Sequence, residues 1–320
     1  MTEGWKLDWP RALGAVHVSA DFRTQPEDFV VEELAFPSPS ENGEHVYLQI
    51  RKRGANTAWV AKQLATLSGV NTSDVGYFGL KDRHGLTTQW FSVWLGKKLQ
   101  PDWSRLNGPE ISVLNTFRGS RKLRRGEHSG NRFKIRLRSI RGKRAAAEQR
   151  LDKISAGVPN YFGEQRFGIH GNNLDLVRRL AEGGGGCGKS KKAFAMSAAR
   201  SWLFNQVLAE RVDAGNWREV LDGEPEANPS GPLWGRGRNP VSRVQEELEQ
   251  RALLPWQPWC NWLEHCGLRQ ERRALVLRPE AFHYQWEEDS LVLGFSLTRG
   301  EFATALLREV AQLVNVKSST

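Results

Sequence analysis

Asp82 is the residue best suited by type and context to do chemistry in this chain. It stands between Lys81 and Arg83 in GLKDRHGLTTQWFSV, residues 79–93, with Gly79 before the trio and the polar run Thr87-Thr88-Gln89 after it. Neighbouring positive charge favours the charged form of a carboxylate. An ionised Asp works as a nucleophile or a base, and cations on either side of it suit phosphate groups. The segment points to chemistry beside a nucleic-acid backbone. The plainer role for such an Asp is to cap a turn.

The charge balance points the same way. The chain has 320 residues, a formal charge of +10 and a pI near 9.7, which suits a polyanionic partner. Residues 118–144, RGSRKLRRGEHSGNRFKIRLRSIRGKR, hold twelve Lys or Arg and one Glu. That segment alone is +11, so the remainder of the chain is −1 and the basicity is local. Its second half alternates, with Phe133, Ile135 and Leu137 set against Arg132, Lys134, Arg136 and Arg138. Period two predicts a strand with one buried and one cationic face. The plain reading is a solvated strand face, but so many cations in one segment repel unless a polyanion neutralises them, so a polyanion is expected against the segment.

Other classes are disfavoured. The opening MTEGWKLDWP is no secretory signal and no run is long enough to span a membrane, so a cytosolic protein is expected. Cys187, Cys260 and Cys266 are an odd number without paired metal-type spacing, and Cys260, His265 and Cys266 lack a fourth ligand; reduced thiols and no metal are expected. GGGGCGKS, residues 183–190, literally satisfies the phosphate-loop pattern through Gly183, Gly188, Lys189 and Ser190. That pattern needs a buried strand before it, and LDLVRRLAEG reads as an amphipathic helix, so a connection between helices is expected rather than a nucleotide site. No coiled-coil seam is visible, which makes a monomer the default.

The elements that must position Asp82 are legible in outline. Residues 17–34 read as a short strand, a Pro26 turn and a second strand through Phe29, Val30 and Val31. Val46, Leu48 and Ile50 mark another strand. Asn56 or Thr57 can cap a helix with Val60, Leu64 and Leu67 on its apolar face, and Gly69 can end it. Val75–Leu80 reads as a strand leading into the Asp82 loop, and 145–156 as a helix. From about 170 to 265 helical periodicity dominates, broken by the Gly- and Pro-rich stretch 222–240. Strands return at 273–277 and 290–297, and a last helix is expected over 301–316 with Phe302, Leu306, Val310 and Leu313 on one face. Strands, then helices, then strands suggest a helical domain inserted into a strand-rich one.

Taken together, these segments resemble the TruD family of tRNA pseudouridine synthases. The resemblance rests on GLKDRHGLTTQWFS around Asp82, PEDFVVEE at 26–33, GNRF at 130–133, PNYFGEQRFG at 159–168, SAARSWLFNQVL at 197–208 and GEFATALLRE at 300–309. It departs at Gly85, where alanine is expected more often and where glycine reads as loosening the loop. The resemblance implies an α+β fold: a mixed sheet of the pseudouridine synthase type with flanking helices and a central cleft, in residues 1–158 and 270–320, plus an inserted, mostly helical domain over 159–269. It implies isomerisation of uridine 13 of tRNA to pseudouridine without cofactor, metal or nucleotide. A uracil in folded RNA must be flipped into a pocket to be reached.

On this resemblance Asp82 is the catalytic acid. Attack on the sugar carbon, addition to the base and removal of a sugar proton are all open to it. Phe133 is expected against the target base. Asn131, two residues earlier and on the same strand face, would orient Asp82 or the uracil edge. Phe29 and Phe302 match positions lining the same pocket, though both also fit plain core packing. Arg23 would pair with the catalytic acid, with a phosphate contact or a plain surface Arg as the equal alternative, and Lys81 and Arg83 would contact substrate. Tyr161, Phe162, Glu164, Gln165 and Arg166 read as hinge and scaffold. The competing reading is an RNA-binding module without catalysis, which would have no need of Asp82.

Overall fold

The computed structural model describes residues 4–315 of the chain. They divide into two compact units. One is built from the residues through Val16, Ala147–Arg278 and Glu301–Val310; the other from His17–Ala146, Pro279–Gly300 and the residues from Ala311 on.

The second unit is built on a mixed sheet. Its strands are β1 (Ser19–Phe22), β2 (Phe29–Leu34), β3 (His45–Arg53), β4 (Val75–Tyr77), β5 (Leu86–Trp94), β6 (Ile111–Gly119) and β7 (Gly130–Arg141). After β8 (Val158–Pro159), β9 (Ser230–Leu233), β10 (Glu271–Ala274) and β11 (Val276–Leu277), which belong to the other unit, come β12 (Glu280–Glu287), β13 (Ser290–Thr298) and β14 (Gln312–Asn315). The main path runs β12-β13-β7-β2-β5-β3-β6, with β4 on β5 and β1 between β7 and β14. The pairs β2–β5 and β1–β14 are parallel and the rest antiparallel.

Period two decides which residues this sheet buries. Val46, Leu48 and Ile50 of β3 and Phe91 and Val93 of β5 turn to one face. There they pack on helix α1 (Thr57–Ser68) through Val60, Ala61 and Leu64. Asn56 caps α1 by accepting from the Trp59 amide at 2.7 Å, and Gly69 closes it in the left-handed conformation at φ 62°.

In the other unit, α2 (Arg144–Ile154), which starts at the boundary, is followed by α3 (Asn172–Ala181), α4 (Lys189–Asp213), α5 (Arg243–Leu253), α6 (Gln257–Glu264) and α7 (Ala303–Val310). Trp202, Leu203, Phe204, Val207 and Leu208 of α4 enter one core with Leu174, Val177, Leu248 and Trp259. The glycine run 183–188 joins α3 to α4, so a helix stands where a phosphate loop requires a strand. Cys260 is buried and its thiol is pushed up to about 12 by desolvation. Among the described residues no cluster of His, Cys, Asp and Glu could hold a metal ion, and no helix is long and apolar enough to cross a membrane.

Two expectations need correction. The last helix does not run to 316: α7 stops at Val310, and Leu313 lies in β14, where it pairs with Ala20 of β1. The unpaired edge of β1 takes up this segment, beginning with the Gln312 amide on the Val18 carbonyl at 2.8 Å, and Val316 lies outside the described residues. The strand read as beginning at Trp90 begins at Leu86 instead and includes the polar run Thr87-Thr88-Gln89, all three residues of which are buried.

Candidate active site

The loop from Gly79 to Gly85 is tied down by side chains that strands and a helix deliver from beneath. Gln89 of β5 donates to the Gly79 carbonyl at 2.9 Å and accepts from the Thr57 hydroxyl at 2.9 Å. The same hydroxyl oxygen, at the first turn of α1, accepts from the Lys81 amide at 3.0 Å. Lys52 of β3 donates to the carbonyls of Ala55 and Asp82, each at 2.7 Å, with the Lys81 carbonyl at 3.4 Å. Glu33 of β2 accepts from the Trp90 amide at 3.0 Å and meets the Lys81 ammonium at 2.7 Å. Burial pushes the Glu33 carboxyl up, and Lys81 pulls it back.

At the end of the loop Gly85 is buried against Phe29. A Cβ there would lie 2.6 Å from the Phe29 carbonyl oxygen, closer than backbone tolerates. The expectation of a loosened loop is therefore reversed: in this chain glycine is what lets the loop pack down.

The Asp82 carboxylate itself is left open. Its side chain is 42% exposed and its ionic partner is Arg23, Nη2 to Oδ2, at 3.0 Å. Arg23 adopts φ 61°, a region rare for residues with a Cβ and associated with functional strain. That turn brings its guanidinium over the rings of Phe29, at 4.2 Å, and Phe22, at 4.9 Å. Phe29 lies 6.2 Å from Phe133, which stacks on Phe295 at 5.3 Å. Asn131 shares the Phe133 face of β7 and stands opposite Glu33. Its Oδ1 is buried without a hydrogen-bond partner in the protein, an unusual condition for an amide oxygen.

Asp82, Arg23, Phe29 and Phe133 thus form one chain of contacts, with Asn131 beside it. Lys81 is turned to Glu33 rather than to the Asp82 carboxylate, and Arg83 is exposed and donates to the Gly54 carbonyl at 3.3 Å. Phe302 belongs to the helical unit, where its ring lies 5.8 Å from Phe162 and 5.5 Å from the Arg166 guanidinium.

Lys52, Glu33, Thr57 and Gln89 were missed as anchors of the loop, and the signal for Lys52 and Glu33 was present. Lys52 continues the buried register of Val46, Leu48 and Ile50, and Glu33 that of Phe29 and Val31. A charged residue on the apolar parity of a strand is a buried charge that needs a partner.

The basic segment splits in two. The strand cations lie on the face opposite Asn131 and Phe133, and three of them meet acids: Arg132 with Glu32 of β2 at 3.5 Å, Arg136 with Glu287 of β12 at 2.6 Å, Arg138 with Asp28 of the turn before β2 at 2.7 Å. Those three cations are therefore balanced within the protein. The loop half runs alongside the segment leading to Asp82: the Gly126 amide donates to the Phe78 carbonyl at 2.7 Å and Arg125 to the Tyr77 hydroxyl at 2.7 Å. Arg121, Lys122, Arg124 and Arg125 are exposed there, with Glu127 the acid among them.

A family model described as "tRNA pseudouridine synthase D (TruD)" matches residues 14–181 and 224–310. A protein of Cellvibrio japonicus named tRNA pseudouridine synthase D is 51% identical, across 97% of this chain and 95% of its own. One of Nitrosococcus oceani with the same name is 46% identical, across 92% and 91%. The crystal structure of a candidate tRNA pseudouridine synthase D from Methanosarcina mazei superimposes with a TM-score of 0.72 over 96% of both chains at 20% identity, a likeness of fold. The family match and the two relatives place the chain in the pseudouridine synthase class of protein. Within it, the chain belongs to the TruD family of tRNA pseudouridine synthases.

Proposed function

We propose that this protein isomerises uridine 13 of tRNA to pseudouridine, with Asp82 as the catalytic residue. The observation that carries the reading is the contrast within one loop: every backbone anchor is buried and satisfied, while the Asp82 carboxylate is exposed and held by one cation, Arg23. In the reaction the bond from C1′ to N1 breaks, the uracil turns, and a bond from C1′ to C5 forms as C5 gives up its hydrogen and N1 takes one. Atoms and electrons balance without a cofactor.

Arg23 keeps the carboxylate aimed and charged-partnered. Phe29 and Phe133 supply an apolar wall for the flipped base, where stacking contributes about 1 to 3 kcal/mol per base. The unpartnered Asn131 amide oxygen suits a uracil N–H. Phe302 is proposed as a further base contact on the family resemblance, and Arg83 as a phosphate contact. Lys81, bound to Glu33, supports the loop. The helical insertion over 159–269 remains part of the proposal.

Because C5 loses its hydrogen, tRNA carrying tritium at uracil C5 reports turnover as tritium released to water. Release by purified protein without added cofactor, abolished in Asp82→Asn with tRNA binding kept, is expected. Equal release by Asp82→Asn would remove Asp82 from the role.

A further inference from the structure

Lys52 is a fully buried lysine whose ammonium forms no ion pair within 4 Å among those found in the described residues. It spends its donors on backbone carbonyls: Ala55 before α1, and Lys81 and Asp82 in the loop. A buried ammonium without a bonded carboxylate is costly, and a neutral donor could satisfy a carbonyl at lower cost. What the charge adds is a positive centre beneath Asp82 that also clamps the backbone of that residue.

We propose that Lys52 is a positioning residue for the reaction, holding Asp82 by its carbonyl and stabilising its carboxylate by charge from below, while Arg23 does so from the side. The inference rests on the reading of Asp82 as the catalytic residue.

Geometry and charge both make the role pH-dependent. Desolvation lowers the Lys52 ammonium to about 8, with Asp82 raising it and Lys81 lowering it. The charged groups around it are Asp82 and Lys81 on the loop, Arg23 beyond Asp82, Glu33 beyond Lys81, and Arg51 and Arg53 on its own strand, Arg53 being paired with Glu27. Its strand neighbours Thr87 and Ile111 carry no charge.

Loss of the proton above about 8 removes the cation and one of the three N–H donors shared among the Ala55, Lys81 and Asp82 carbonyls, so turnover should fall. Stability should move the other way. The unfolded chain keeps that proton up to about 10.5, so it binds more protons than the folded chain between those values, and folding is favoured as pH rises. A lysine that mattered only to the fold would not make turnover fall where stability rises.

The test is tritium release by wild type, Lys52→Met, Lys52→Arg and Asp82→Asn from pH 6.5 to 9.5, with thermal unfolding measured alongside. Wild-type kcat is expected to drop as pH passes about 8, with KM for tRNA unchanged. Lys52→Met should lose about 100-fold in kcat, the scale of a small misplacement, and lose the alkaline drop with it. Lys52→Arg should restore part of kcat and keep it above pH 8.

Wild-type kcat flat to pH 9.5, or a Lys52→Met enzyme within threefold of wild type, would overturn the inference. Should Lys52→Met not fold, the wild-type profile decides alone. An inert Asp82→Asn beside a normal Lys52→Met ends this proposal and leaves the Asp82 reading standing, whereas an active Asp82→Asn ends both.

Discussion

Two aspartate–arginine pairs flank the same short turn, and they are built to opposite ends. Asp28 is 1% exposed; it takes three contacts of 2.7 to 3.0 Å from Arg138 and a fourth, at 3.1 Å, from the Gln25 amide. Asp82 is 42% exposed and meets Arg23 at 3.0 Å. Arg138 lies in β7, beside a bulge at Ser139, while Arg23 itself sits at φ 61°. A carboxylate whose lone pairs are all committed locks strands together and has nothing left for a substrate. A carboxylate with free lone pairs, on a loop that is otherwise fully anchored, is ready to react. The comparison separates a structural acid from the one proposed to do chemistry.

The largest effect that sharpens this contrast is on turnover. Asp82→Asn should cost about 10⁴-fold or more in kcat, the scale of removing one member of a catalytic unit. It should change stability by only about 0 to 1 kcal/mol, as for other exposed pairs, which thermal unfolding will show. Asp28→Asn should do the reverse. Breaking a buried pair costs about 3 kcal/mol or somewhat more, so melting should drop by about 10 °C, with kcat of the folded protein near wild type. Arg23→Met comes next: losing a hydrogen bond between charged groups, about 2 kcal/mol, should lower kcat roughly 30-fold in the tritium assay and leave tRNA affinity alone.

The smallest effect compares the two halves of the basic segment. Neutralising Arg121, Lys122, Arg124 and Arg125 should flatten the salt dependence of tRNA binding by roughly 2 to 3 in log-log slope, about 0.7 per phosphate lost. Arg132→Gln with Arg136→Gln, where each cation already meets an acid, should leave the slope unchanged. Equal changes for the two sets would erase the distinction between the loop cations, of which Arg121 alone is ion-paired among the described residues, with Glu127 at 2.8 Å, and the strand cations.

How far the sequence carried this site depended on what each residue leaves in a pattern. The strand alternation over Val46–Ile50 and the Asn56 cap with Gly69 at the end of α1 were legible because both are local. Asp82 stood out through its own neighbours, yet its partner, 59 residues away, could be named only through the family resemblance. Lys52 and Glu33 lie on the buried parity of their strands, and that parity was a readable sign of buried charge. The helix expected to 316 stopped at Val310 because an edge strand offered β14 a partner, a tertiary effect that helical periodicity does not contain. The cationic strand face was read correctly as a face, but its acids were not legible, since Glu32, Asp28 and Glu287 reach Arg132, Arg138 and Arg136 from distant parts of the sequence. Gly85 needed the position of the Phe29 carbonyl, which no linear pattern gives.

The most direct test of the account is to map pseudouridine at nucleotide resolution in tRNA from cells lacking this gene, after incubation with wild type, Asp82→Asn or Asp28→Asn. The account predicts pseudouridine at position 13 with wild type and Asp28→Asn, and none with Asp82→Asn. Pseudouridine formed by Asp82→Asn as fast as by wild type, or none formed by wild type despite tight tRNA binding, would contradict it.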